Sequence, residues 1–209
     1  MELTVKAIHT TPKALTHLMI ASLMGEGEIY VSDNKDIGIY VTFEPSKVEY
    51  LQNYILHNSL NRFVKIQPNT GELYIFPNKL IQKYSKQWFK GEEKIFSNQL
   101  NHKLLTYQAI IIWINLFGSR NLDSVVISTT VVKSYLRNLS YCIEKHLNTP
   151  VVPGRNSLKI HDVENLFLNT MKFSINDCTS VATFLTQKEL KKLTDMSLSI
   201  DEEEGEHLL

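Results

Sequence analysis

Two apolar runs, each stopped by glycine, constrain this chain more than any other feature of it. The first reads Leu18-Met19-Ile20-Ala21-Ser22-Leu23-Met24-Gly25-Glu26-Gly27-Glu28-Ile29. The second reads Ala109-Ile110-Ile111-Ile112-Trp113-Ile114-Asn115-Leu116-Phe117-Gly118-Ser119-Arg120. Both read as helices. In each, the residue before the stopping glycine is placed to project from the helix end: Glu26 in the first, Phe117 in the second. A metal site built from two such ends needs a carboxylate on both. This pair supplies one.

The chain around them is composed to bury a core. Of its 209 residues 43% are hydrophobic, and 8 Gly and 6 Pro are few enough to set a disordered chain aside. That length suits one domain or two small halves sharing an interface. Cys142 and Cys178 are too few for a disulfide framework and lack metal-ligand spacing, so they read as buried reduced thiols. The 7 histidines are scattered without ligand spacing, which argues against a zinc site. No apolar run reaches membrane-spanning length, so no membrane insertion is expected. Met1 to His17 carries Glu2 and no Arg, a poor signal or transit peptide. That leaves a presequence already removed, or a gene and product sharing one compartment.

Charge needs unpacking. Basic and acidic residues balance at 22 each, yet Asp201, Glu202, Glu203, Glu204 and Glu206 all fall at the C-terminal end. Residues 1 to 200 therefore carry 22 basic against 17 acidic side chains. That mildly basic surplus permits phosphate contacts without demanding them, because counterion release rewards a local basic surface rather than the chain average. The acidic tail itself reads as solvated, or as docking on a basic partner.

Period and punctuation repeat along the chain. Thr11-Pro12 opens a helix over 12–25. Strands over 28–32 and 37–43 follow, the second alternating Ile37, Ile39, Val41 and Phe43 with Gly38, Tyr40 and Thr42. Glu44-Pro45-Ser46 opens a helix through Val48, Leu51, Tyr54 and Ile55. Strands over 62–67 and 72–76 flank Pro68-Asn69-Thr70-Gly71, a hairpin signal, and a helix runs from Asn78 to Trp88. The second half predicts the apolar helix to Phe117, a strand over 123–129 and an amphipathic helix over 132–146. Short strands over 150–160, helices over 163–171 and 187–195, and the tail complete it. Helix-strand-strand-helix-strand-strand-helix, twice over, predicts an α+β pseudo-dimer with two four-stranded antiparallel sheets and the glycine-ended helices at a central seam. The expected halves are 1–100 and 101–196, with the tail over 197–209.

Three stretches carry a closer likeness. One is Leu23-Met24-Gly25-Glu26-Gly27-Glu28-Ile29. Another is Trp88-Phe89-Lys90-Gly91-Glu92-Glu93-Lys94-Ile95, followed by Leu104-Leu105-Thr106-Tyr107. The third runs from Trp113 to Gly118 and on to Ser128-Thr129-Thr130. In order and spacing they resemble the two-motif LAGLIDADG homing endonucleases, over roughly Lys13 to Leu185. That family's first motif typically ends Leu-Leu-x-Gly-Asp-Gly-x-Ile, and Glu26, Gly27 and Ile29 keep its acid-Gly-x-Ile. Its second motif usually runs Ala-x-x-Trp-x-Met-Asp-Asp-Gly and leads to Asn-Thr-Gln; here Asp-Asp has become Leu116-Phe117. The segment Asn176 to Ala182 lacks the Tyr-Lys that supports the family's site.

The resemblance implies motif helices along a pseudo-twofold axis, saddle-shaped sheets over a major groove, and one acid per helix holding divalent metal at the scissile phosphates. Phe117 cannot ligate a metal, and its ring is expected near the phosphate. Leu116 is apolar, Asn115 is neutral and on another side of the helix, and Glu26 is longer than the usual Asp. The expectation is a degenerate endonuclease that is no longer an enzyme and needs no cofactor, Mg2+ serving only a residual activity. Glu26 keeps two readings, structural and metal-binding. The sheets still offer Tyr30, Lys35, Tyr40, Arg62, Lys65, Gln67, Tyr74, Arg120, Arg155 and Lys159 to phosphates, sugars or unstacked bases. Strand residues on a solvated face are often Lys, Tyr or Thr without any ligand. Asp33, Asp36, Glu44 and Glu72 interrupt a duplex footprint, which favours a shaped RNA. The leading expectation is thus a catalytically inactive, RNA-binding derivative of the family in an organelle. It would serve the mitochondrial ribosome as a structural component, or splicing as a maturase, with rRNA or intron RNA and ribosomal proteins as partners. A DNA-binding endonuclease that nicks through Glu26 and a protein-interaction module without nucleic acid are the alternatives. Richness in Asn, Ile, Lys and Tyr fits an AT-rich organellar genome and points to the mitochondrion.

Overall fold

A computed structural model describes residues 12–32, 35–96, 105–173 and 180–194. The two apolar runs form α1 (Lys13–Met24) and α4 (Tyr107–Phe117). Neither has a polar stripe: every residue from His17 to Met24 and from Ala109 to Phe117 is buried. A helix that is apolar all round has to be covered on all sides. These two cover one another, packing together more extensively than any other helix pair. Polar groups caught in the seam bond to their own helix: Ser22 Oγ donates to Leu18 O at 2.8 Å, and Asn115 Nδ2 to Ile111 O at 2.9 Å. Burial, with Lys13 nearby, pushes the His17 imidazole below its ordinary pKa, so its charge does not enter the core.

Each seam helix opens into a sheet. β1 (Glu28–Val31), β2 (Ile37–Thr42), β3 (Val64–Gln67) and β4 (Glu72–Ile75) pair antiparallel in the order β1-β2-β4-β3. A short ribbon, β5 (Phe89–Lys90) with β6 (Glu93–Lys94), precedes the second half. There β7 (Gly118–Asn121), β8 (Ser124–Ser128), β9 (Val151–Pro153) and β10 (Ser157–Ile160) pair in the order β7-β8-β10-β9. The two orders are the same topology, so the duplicated α+β architecture with its helices at the seam is as the sequence predicts. Period-2 alternation sets the inward faces: Ile39, Val41, Leu73 and Ile75 in one sheet, Val125, Ile127, Leu158 and Ile160 in the other, all buried in one shared core.

Helices close the back of each sheet. A 3-10 turn over Pro45–Lys47 leads into α2 (Val48–His57), and Asn78 caps α3 (Lys79–Trp88) by accepting from Leu80 N and Ile81 N. In the second half stand α5 (Lys133–Leu147), α6 (Val163–Phe173) and helical residues 187–194. The Trp88-Phe89 pair serves packing through Trp88, which is wholly buried with its ring 5.8 Å from that of Phe96. Cys142 is half-buried and not part of a disulfide. Cys178, the join between halves near 100 and the acidic tail lie outside the described residues. Among the described residues no helix is long and apolar enough to cross a membrane.

Two elements differ from the sequence reading. β7 starts immediately after α4, where Gly118-Ser119-Arg120-Asn121 has no apolar alternation to announce a strand. The β5–β6 ribbon has the same excuse: two-residue strands carry no period.

Trp113 ties the seam to the second sheet, being fully buried with Nε1 donating to Ser128 O at 3.1 Å. Trp113→Ala is expected to cost about 3–5 kcal/mol in urea unfolding, and Trp113→Phe clearly less, since it keeps most of the ring. Equal losses would assign the residue's weight to its hydrogen bond instead.

Candidate functional site

α1 and α4 end beside each other, and the last carbonyls of a helix have no partner within it. Groups from across the seam take them. Thr129 Oγ1 donates to Met24 O. Thr130 donates to Gly25 O through both N (3.3 Å) and Oγ1 (3.1 Å), and Lys94 Nζ reaches the same oxygen at 3.0 Å. At the other end Lys47 Nζ donates to Gly118 O at 3.2 Å while lying 5.1 Å from the centre of the Phe184 ring. The segment after β8 therefore holds the end of α1, and the segment after β2 holds the end of α4. Both lysines also meet the negative end of a helix dipole.

Phe117 lies across this junction. A Cβ built on Gly25 would stand 2.3 Å from Phe117 Cε2, so the ring rests directly on Gly25 and leaves room for nothing larger than hydrogen. The ring expected beside a phosphate is turned into the seam instead, only 9% exposed, because an apolar ring gains more from burial than from water. Glu26 stays exposed and lines an open cleft of about 310 Å3 together with Glu44, Thr42, Phe117, Gly118 and Ser128. Among the described residues no group of three or more His, Cys, Asp or Glu side chains gathers to hold a metal ion. The donors at the helix ends thus do not fit paired ions, which need anionic oxygens from both sides. Asn115 does not compensate, its amide being buried and spent on Ile111 O.

Lys94 was not among the sequence candidates. It is 5% exposed, and burial pushes its amine down to about 8 against the opposing pull of Glu28 and Glu26. Lys47 is lowered for the same reason, opposed by Glu44. A lysine reads as surface in any sequence, and the one available signal was the place of Glu93-Lys94-Ile95 ahead of the second motif.

The N-terminal sheet turns a coherent polar face outward. Glu28, Tyr40, Tyr74 and Lys65 stand in one row across four strands, with Thr42, Glu72 and Gln67 in a neighbouring row. The Tyr74 ring is 5.1 Å from Tyr40 and 6.0 Å, edge-on, from Tyr30. Tyr30 in turn covers Gly38, where a Cβ would meet its ring at 2.4 Å. Tyr40 OH donates to Glu72 Oε1 at 2.9 Å, a bond that raises the phenol's pKa and keeps it neutral. Tyr30, Tyr40, Lys65, Gln67 and Tyr74 are therefore brought together. Arg62 is exposed just before β3, and Lys35 is exposed in the β1–β2 turn.

The second sheet gathers less. Lys159 shares an outer row with Ser119, Val126 and Val152, and Arg155 is exposed in the β9–β10 turn. Arg120 is a correction to the sequence reading. It stands in the row of Val125, Ile160 and Val151, which faces the core, and its guanidinium pairs with Glu189 at 2.9 Å. With β7 unpredicted, the face of Arg120 could not be assigned.

No family model and no curated protein matches the chain. Among solved structures it is similar to the homing endonuclease I-WcaI bound to its DNA recognition sequence, at 15% identity, covering 85% of this chain and 89% of that one with a TM-score of 0.58. I-DmoI in complex with DNA and Ca matches at 14% identity over 79% of this chain and 93% of that one, with a TM-score of 0.47. The fold is that of the homing endonucleases.

Gly25→Ala is expected to destabilise the protein clearly, and much less so in a Phe117→Ala background. The double-mutant cycle should return a coupling of about 1–3 kcal/mol, and a coupling near zero would place the ring elsewhere. Lys94 gives a pH signature. An unfolded lysine keeps its proton to about pH 10.4 while the folded amine loses it near 8, so stability rises with pH across that window. The full difference corresponds to about 3 kcal/mol, and urea unfolding of Lys94→Met against the parent should show the rise removed.

Proposed function

We propose that this chain, which has the fold of the LAGLIDADG homing endonucleases, binds structured RNA through the tyrosine face of its N-terminal sheet and does not cut nucleic acid. The observation that carries this reading is a contrast between two places: the polar sheet face is intact, while the helix end that should carry the second acid is filled by Phe117 on Gly25. Tyrosine rings offer stacking surfaces worth about 1–3 kcal/mol per base, and Lys65, Arg62 and Lys35 surround them with charge for phosphates. Glu28 and Glu72 sit in the same rows and repel an unbroken phosphate track. That combination suits splayed bases of a folded RNA better than a long duplex. For strand scission, Glu26 and Glu44 would have to serve where anionic ligands from both helix ends are required. A pseudoenzyme needing no cofactor follows. The mitochondrial setting, with rRNA or intron RNA and ribosomal proteins as partners, is supported by the composition rich in Asn, Ile, Lys and Tyr.

A second reading, nicking of one DNA strand through Glu26, draws on the exposure of that carboxylate in the cleft. The two separate cleanly. Binding to RNA copurified from the native source is expected to persist in EDTA and to weaken roughly 5- to 150-fold in Tyr40→Ala or Tyr74→Ala, the range set by one lost stack. Mg2+-dependent scission of DNA that disappears in Glu26→Gln would overturn the inactive reading, and recovery of no RNA at all would favour the protein-interaction module.

A further inference from the structure

The chain's overall neutrality conceals a basic strip on the far side of the same half. α3 reads Lys79-Leu80-Ile81-Gln82-Lys83-Tyr84-Ser85-Lys86-Gln87-Trp88 and contains no acid. Its buried residues, Ile81, Tyr84 and Trp88, recur at i, i+3 and i+7, and they fix which side of the helix faces inward. The lysines recur at i, i+4 and i+7. At 3.6 residues per turn they fall within an arc of about 60° opposite the buried one. All three are exposed, and among the described residues none takes part in an ion pair. Lys90 is excluded from the set because it stands opposite Glu93 in the β5–β6 ribbon.

Position gives the strip its meaning. α3 packs against β2 and α1 from the core side of the N-terminal sheet, whereas the tyrosine rows point away from that core. The two surfaces therefore look in different directions. Along the helix axis the lysines are spaced by steps of about 6 Å and about 4.5 Å. Their flexible stems let such a row follow successive phosphates of one strand without reading sequence. We infer that Lys79, Lys83 and Lys86 form a second, sequence-independent contact to the phosphate backbone of RNA, separate from the tyrosine face. The strip stands on charge and geometry alone, so it goes beyond the sheet reading and survives its failure.

Salt dependence separates the possibilities. A labelled RNA hairpin with single-stranded flanks is titrated with the full chain over a potassium chloride series. Neutralising three phosphate contacts should make the slope of log Kobs against log salt shallower by about 2, since each contact contributes about 0.7 on single strands. The variant Lys79→Gln/Lys83→Gln/Lys86→Gln is expected to show that change, and Lys79→Arg/Lys83→Arg/Lys86→Arg to keep the parent slope. Tyr40→Ala/Tyr74→Ala should weaken binding with the slope unaltered. An unchanged slope in the glutamine variant overturns the proposal. So does loss of binding to phosphatidylserine vesicles in that variant with RNA binding intact, which would make the strip a lipid surface. If the lysine variant behaves as expected and the tyrosine variant binds like the parent, the sheet reading fails and the strip stands.

Discussion

Carbonyl oxygens at the ends of two helices, brought side by side inside an apolar seam, are the constraint on which the rest of this structure depends. A buried carbonyl without a donor costs about 1–3 kcal/mol. Met24, Gly25 and Gly118 therefore draw Thr129, Thr130, Lys94 and Lys47 into place from across the seam. Those bonds fix the strand exits from which they come, and the strand exits fix how each sheet hangs from its helix. Lys94 is held so firmly that its ammonium is taken out of water at the expense of its proton affinity.

Duplication gave the two helix ends the same requirement but not the same contents. α1 ends in an exposed carboxylate next to a buried amine, and α4 ends in an apolar ring and a lysine lying on Phe184. A second carboxylate at position 117 would stand beside Glu26, where two like charges repel and favour a cation between them. The phenyl ring removes that repulsion and adds buried apolar area to the seam. The sheets diverge in parallel. One outer face is a tyrosine row with charged neighbours, while the other offers Val126, Val152 and Ser119 around a lone Lys159.

Much of this could be read from residue order alone, for a physical reason. Alternation in Ile37 to Phe43 and the glycine stops after the apolar runs are local signals, and local signals dictated strand faces and helix ends. The tyrosine candidates needed only the period-2 reading of their own strands, whereas the meeting of Tyr30 with Tyr74 across Gly38 depends on how the strands pair. What escaped depends on neighbours distant in sequence. Nothing in Gly118-Ser119-Arg120-Asn121 announces a strand, since its pairing with β8 is made by backbone groups. Arg120 consequently looked solvent-facing when Glu189 claims it. Lys47 and Lys94 are ordinary lysines until the helix end they cap is placed beside them. The lysines of α3 were present in the sequence, but a helix face is recognised as basic only when its buried side is known.

The seam also has a consequence for how the chain comes into being. Translation delivers α1 long before α4, and α1 is apolar around its whole circumference from Leu18 to Met24 except at Ser22. Until the residues up to Thr130 have left the exit tunnel, that helix lacks both the cover of α4 and the threonine donors to its terminal carbonyls. The N-terminal half is thus obliged to wait, half-made, with its greasiest surface on offer. A nascent chain in that position carries exposed apolar surface for as long as the second half takes to arrive.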